Sequence, residues 1–208
     1  MTVRFGTARC VNEWYYRTGK AYASPFDDIT LDVRVTTPDG ADQTVPTYWA
    51  GEGIWRVRYT PELPGRYELR TVCSDTDNAD LHDFQAALEV APYEGSNPLK
   101  VHGAVEVCPD RRHFCHRDGT PFFWLGDTWW MGFTRRLRWP REFQRLTEDR
   151  VRKGFSVVQI VAGLYPDMPA YDERGFNEAG HPWEPEYAAI RPAYFDMADL
   201  RIQWLVQQ

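Results

Sequence analysis

The stretch "FFWLGDTWWMGF", residues 122–133, decides how this chain is read. Its first four positions are apolar without alternation, as in a strand covered on both faces. It then breaks at Gly126, Asp127 and Thr128 into two tryptophans, Trp129 and Trp130. The strand is expected to end at Asp127. A carboxylate, a hydroxyl and two flat rings at a strand end suit a ligand with polar edges and apolar faces.

Outward from this stretch, the pattern alternates between strand and helix. Pro140 is suited to a first helical turn, and the spacing predicts a helix over about 140–153, with Phe143, Leu146 and Val151 inward and Gly154 closing it. "FSVVQIVAGL" at 155–164 reads as a second parallel strand, apolar on both faces. The segment 162–191 follows as a long loop, and a second helix starts near 192 with Phe195, Ala198, Ile202 and Leu205 on one face. Strand, helix, strand, helix is α/β order. A complete eight-unit barrel takes roughly 250 residues, so two units imply the N-terminal portion of a (β/α)8 TIM barrel, left incomplete at residue 208. Just upstream, "CPDRRHFCHRDGTPF" reads as a hairpin turned at Asp118 and Gly119.

The first half has a different rhythm. Ile29, Leu31, Val33 and Val35 alternate with polar residues, as do Trp55, Val57 and Tyr59, then Tyr67, Leu69, Thr71 and Cys73, then Phe84, Ala86, Leu88 and Val90. Turn signals separate these runs at Pro38–Gly40 and at "PELPG", 61–65. Short half-buried strands at such spacing predict an all-β sandwich of immunoglobulin-like type. Asp27 and Asp28 follow "SPF" at a turn, where carboxylates satisfy backbone amides. The Pro- and Gly-bearing stretch "APYEGSNPLK" marks a linker. The expected organisation is a sandwich over 1–92, a linker over 93–103 and an incomplete barrel over 104–208.

Composition narrows the functional classes. A net charge of -6 with interleaved cations gives no field for nucleic acid. No apolar run reaches the roughly 20 residues of a membrane span, and the start of the chain has no export-signal pattern, so a cytoplasmic setting is expected. Four scattered cysteines read as thiols rather than a disulfide framework. Cys108, His113, Cys115 and His116 invite a zinc reading, but strand alternation would split the two histidines between faces, and the spacing matches no pair of ligand knuckles. No phosphate loop or nucleophile elbow is present. Neither metal nor cofactor is expected.

The motifs "SPFDDITLDVRVTTPDG", "GIWRVRYTPELPGRYEL", "GTPFFWLGDTWW", "RKGFSVVQIVAGLYPD", "NEAGHPWEP" and "YFDMADLRIQWLVQQ", in this order, resemble the apiosidase-like glycoside hydrolases. One departure is Ser156, where members commonly carry asparagine. The resemblance implies an N-terminal sandwich of unknown function joined to a (β/α)8 catalytic barrel, with the catalytic carboxylates on later strands, beyond residue 208. Barrel enzymes bind substrate at the C-terminal ends of their strands. On that reading Asp127, Thr128, Trp129, Trp130, Gln159, Tyr165 and Asn177 are the carbohydrate contacts expected in this chain. The other possibility is structural: Asp127 capping the next element and the tryptophans filling a core. A non-catalytic carbohydrate-binding or interaction module is the alternative function.

Overall fold

The computed structural model describes residues 2–208 apart from Leu164, Pro166 and Ala170. The chain divides into two compact units, 1–104 and 105–208.

The first unit is a sandwich of two sheets. One has strand order β1-β8-β7-β3-β4, where β1 is Thr2–Thr7, β3 Leu31–Thr36, β4 Asp42–Pro46, β7 Gly65–Cys73 and β8 Gln85–Ala91. The other has order β2-β6-β5, with β2 at Asn12–Arg17, β5 at Tyr48–Trp49 and β6 at Ile54–Tyr59. All pairings are antiparallel except β1 with β8, which run parallel from Thr2↔Ala86 to Thr7↔Ala91. Period-two alternation sends one face of each strand inward. Val33, Val35, Val57 and Leu81 are wholly buried, with Trp55, Tyr67, Leu69 and Leu88 beside them. The buried Tyr67 hydroxyl donates to the carbonyl of Leu63 at 2.7 Å and accepts from the Leu63 amide at 3.2 Å, fixing the turn that enters β7.

Alternation predicted the inward residues of β3, β6, β7 and β8, but gave no strand before Ile29. The missed strands are β1 and β2, and with them β4 and β5 between the runs that alternation picked out. Trp14 and Tyr16 of β2 point into the core, while β1 leaves Phe5 82% exposed. Asp27 and Asp28 lie in a single helical turn, α1, Pro25–Asp28. Asp28 accepts the Ser24 amide at 2.9 Å, the local role expected of it. Between the sandwich and residue 105 a second short turn, α2, Pro98–Val101, is capped by Asn97, whose side chain accepts the Leu99 amide at 3.0 Å.

The second unit opens with a three-stranded sheet, β9 (Val105–Val107), β10 (Phe114–His116) and β11 (Pro121–Phe122). It turns through Gly119, whose φ of 88° favours glycine. Two sequence expectations fail here. Cys108 and Cys115 form a disulfide rather than two thiols, because the β9–β10 hairpin brings their Cα atoms to 5.4 Å. Thiol titration of the unfolded, unreduced chain should therefore find two reactive cysteines, Cys10 and Cys73. The strand expected to end at Asp127 also begins later than predicted. Phe122 belongs to the hairpin, Phe123 and Trp124 are 77% and 55% exposed, and β12 runs Gly126–Trp129.

β12 pairs in parallel with β13, Val157–Ile160. The end of the predicted second strand, at Leu164, lies outside the described residues. Helix α3, Arg141–Arg152, connects β12 to β13, and Gly154 follows it at φ 79°. Phe143 is buried as expected. Val151 is not: it is 46% exposed, and Thr147 takes the buried place, its hydroxyl donating to the Phe143 carbonyl at 2.9 Å. Helix α4, Pro192–Gln207, buries Tyr194, Ala198 and Arg201 and leaves Ile202 42% exposed, so the inward face lies one residue from where it was expected. No helix among the described residues is long and apolar enough to cross a membrane.

Candidate functional site

Register in the parallel pair decides which side chains share a face. Gly126 stands beside Val157 and Thr128 beside Gln159, while Asp127 and Trp129 stand beside Val158 and Ile160 on the other side. Both helices cover that second side. The Trp129 ring meets Phe143 of α3 edge-on at 5.3 Å, and Ile160 packs against the cluster of Phe133, Tyr194 and Ala198, the last two from α4. The first side stays open. Trp124, Gly126, Thr128, Val157 and Gln159 line a groove there, and among the described residues the side chains of Thr128 and Gln159 have no hydrogen-bond partner.

Asp127 is the second residue of β12, and its carboxylate turns toward α3. It accepts from Arg150 Nε, and from Trp129 Nε1 at 2.9 Å. The Arg150 guanidinium holds this carboxyl below the usual range against a partial desolvation, and the indole adds to that. Arg150 is bound as well to Asp149, at 2.6 Å. Asp127 therefore joins strand to helix instead of closing a strand. A depressed carboxylate stabilises the fold at pH values above its unfolded pKa of about 3.9, and that contribution disappears as pH falls through the folded value. Asp127→Ala should cost about 1–2 kcal/mol at neutral pH, discounted for partial exposure. The difference from the parent should shrink as pH falls below the unfolded carboxylate range, as urea titrations at several pH values would show.

The remaining expected contacts scatter. Trp129 is 5% exposed and is packed as described, whereas Trp130 follows β12 with 60% of its surface exposed. Tyr165 is buried, with its hydroxyl 3.1 Å from that of Tyr194, and burial pushes both phenols up. Asn177 is fully buried. It donates to the Tyr194 carbonyl at 2.9 Å and accepts the Ala179 amide at 2.9 Å, so its amide pins the 162–191 segment to α4. The structure thus brings Thr128 and Gln159 together on the open face and sends Asp127, Trp129 and Asn177 into packing.

Sequence reasoning also missed a buried ion pair. Arg201 is fully buried, and its Nη2 donates to both carboxylate oxygens of Glu178, at 3.0 and 2.9 Å. Its position three residues after Ala198 was a signal of inward direction, but nothing in the spacing pointed to Glu178. Among the described residues no group of three His, Cys, Asp or Glu is placed to hold a metal. His113 lies 3.2 Å from Asp110, and His116 packs on Phe122.

A β-sandwich unit followed by a parallel pair with both helices on one face defines a sandwich joined to an α/β unit. The second half of the chain is similar to the apiosidase-like family: residues 108–208 match the apiosidase-like catalytic domain. Residues 7–74 match a domain of unknown function, DUF5060. No curated protein matches the chain. Among solved structures, a candidate glycoside hydrolase from Bacteroides vulgatus matches with TM-score 0.70 and 22% identity over 98% of this chain, so the two share a fold. The chain spans 39% of that protein's length. The Lin-41 filamin domain aligns with 43% of this chain, and 83% of its own, at 15% identity and TM-score 0.31.

Proposed function

We propose that this chain is the N-terminal part of a glycoside hydrolase: an immunoglobulin-like sandwich followed by the first two units of a (β/α)8 barrel. The observation that carries the reading is the one-sided covering of the β12/β13 pair, because a barrel strand turns one face to the helices and the other to the interior. The family of residues 108–208 and the description of the Bacteroides protein support the chemistry. On this reading Thr128 and Gln159 hydrogen-bond sugar hydroxyls at the inner wall, with Trp124 and Trp130 offering ring faces. Asp127 and Trp129 hold α3 in place, and Asn177 holds the loop.

Cleavage of a glycosidic bond takes a pair of carboxyl groups, one as acid and the other as nucleophile or base. Among the described residues that line the groove Asp127 is the one acid, and its carboxylate is engaged with Arg150. We place the catalytic pair on barrel strands beyond residue 208. The isolated 208 residues should therefore bind oligosaccharide without cleaving it. Gln159→Ala should weaken that binding about tenfold, equal to 1.4 kcal/mol, with little change in melting temperature because the side chain is exposed and unpartnered. Turnover of an aryl glycoside by a mass-verified sample would place the acids within this chain and overturn the assignment.

A further inference from the structure

The 162–191 segment contains a cleft that the barrel reading leaves unused. It lies beyond the end of β13 and is lined by Gly163, Tyr165, Tyr171, His181, Trp183 and Tyr187 among others. Most polar groups here are already bonded. The Tyr171 hydroxyl donates to the Glu184 carbonyl and accepts the Tyr187 amide, at 3.0 and 2.9 Å. Asp172 is held by Arg174.

His181 and Trp183 are different. Nδ1 and Nε2 of His181 and Nε1 of Trp183 are all buried, and none has a partner among the described residues. The imidazole is wedged between Tyr171 at 4.7 Å and Phe176 at 4.4 Å. A buried polar atom without a partner costs about 1–3 kcal/mol, and native structures hold few of them. Three on two residues of one aromatic cleft mark a place where a polar group from outside would be held. The covering backbone is strained too: Tyr171, Glu186 and Tyr187 have φ of 63°, 59° and 61°. Such strain gathers at ligand clamps. Tyr187 is 43% exposed and lies on Tyr171 with ring centroids 5.3 Å apart, so it forms an outer cover.

The missing partner can be defined chemically. The indole N–H only donates, and a neutral imidazole presents one donor and one acceptor. A hydroxyl can accept from the indole and donate to the imidazole. An anion would enter beside the Asp172 carboxylate, which opposes it. The three atoms are out of reach of solvent, so a projecting arm reaches them where a sugar ring cannot. The ring would rest on the aromatic faces at the rim.

We propose that this cleft is a sugar subsite: Tyr187 swings aside and the hydroxymethyl arm of a pyranose is gripped between Trp183 Nε1 and His181. This deepens the glycoside hydrolase reading and rests on it. Gly163, with φ 110°, assists, since an added Cβ would stand 3.4 Å from Trp183 Nε1.

The test is a titration of the 208-residue chain with methyl β-D-glucopyranoside and with methyl β-D-xylopyranoside, which lacks the arm. Indole N–H resonances are followed, and that of Trp183 is identified as the one lost in Trp183→Phe. The Trp183 signal should shift with the glucoside and much less with the xyloside. Trp183→Phe keeps the ring and should weaken glucoside binding about tenfold. The smaller ring loses part of the packing on Tyr187 and Phe195, so a modest drop in melting temperature is expected while the variant stays folded. His181→Ala should weaken binding similarly. Equal binding of the two sugars, no binding of either, or full affinity in Trp183→Phe would overturn the subsite. If oligosaccharide binding were lost in Gln159→Ala but kept in Trp183→Phe, the barrel reading would stand and this cleft would fall.

Discussion

Glu178→Ala is expected to destabilise the second unit by about 3–5 kcal/mol, the largest loss among single changes outside the aromatic core. Glu178 sits at the edge of the packing with part of its side chain in water, but Arg201 does not. The guanidinium is fully buried, with Nη1 on the Met197 carbonyl at 3.1 Å and its plane near the rings of Trp139 and Phe143, at 5.7 and 5.8 Å. Removing the carboxylate leaves this cation without its charge partner, and only the Met197 carbonyl and the weaker cation–π attraction remain. The reverse change should be milder. Arg201→Met fills similar volume with an apolar chain, and the freed Glu178 carboxylate can turn to solvent, so about 1–2 kcal/mol is expected. Chemical denaturation of both variants gives the comparison. Equal losses would show that the pair acts by contact area and not by charge.

The second large effect is expected at Phe143. Its side chain has no exposed surface and meets Trp129 and Trp139 edge-on at 5.3 and 5.8 Å. Phe143→Ala should cost about 3–5 kcal/mol, combining lost transfer energy with the cavity left between two indoles and Arg201. Near-ultraviolet circular dichroism should weaken as the two tryptophans lose their fixed neighbour. Val151→Ala on the same helix is the control. Because Val151 is 46% exposed, a change within about 0.5 kcal/mol is expected. A large loss there would mean that α3 docks on a different face.

That contrast explains how far the sequence could be read. In the sandwich, period-two alternation involves apolar residues with Thr71 as the exception, and Val33, Val57, Leu69 and Leu88 all face inward as their spacing says. In the second unit, polar residues occupy inward positions because the fold supplies their partners. Thr147 is satisfied by its own helix, Arg150 by Asp127, and Arg201 by Glu178. A pattern that counts apolar residues passes over these and selects Val151 and Ile202 in their place. The same blindness misplaced Asp127. An acid that breaks an apolar run looks like a strand end until a cation from the next helix is seen to meet it. Thr128 and Gln159 were legible as strand residues, but their adjacency depends on the parallel register. Asn177 stood out by residue type in a long loop, with no local sign that Tyr194 would use its amide. The Cys108–Cys115 link likewise depends on the hairpin around it, since seven residues of separation do not by themselves bring two Cα atoms together.

The parallel placement of β1 against β8 affects how the chain emerges from the ribosome. Thr2 and Ala86 are partners at opposite ends of the sandwich sequence, so β1 has nothing to pair with until the last strand of its sheet has been made. At roughly 5–20 residues per second, that wait is on the order of ten seconds. Throughout it Val3 and Phe5 and an unpaired backbone edge are open to other nascent chains, while β2, β3, β6 and β7 can already assemble without them. The strand made first is the last to join its sheet. Vectorial synthesis therefore leaves this sandwich most open to mispairing at its own beginning, and a chaperone that holds the first dozen residues would act where the topology leaves the longest gap.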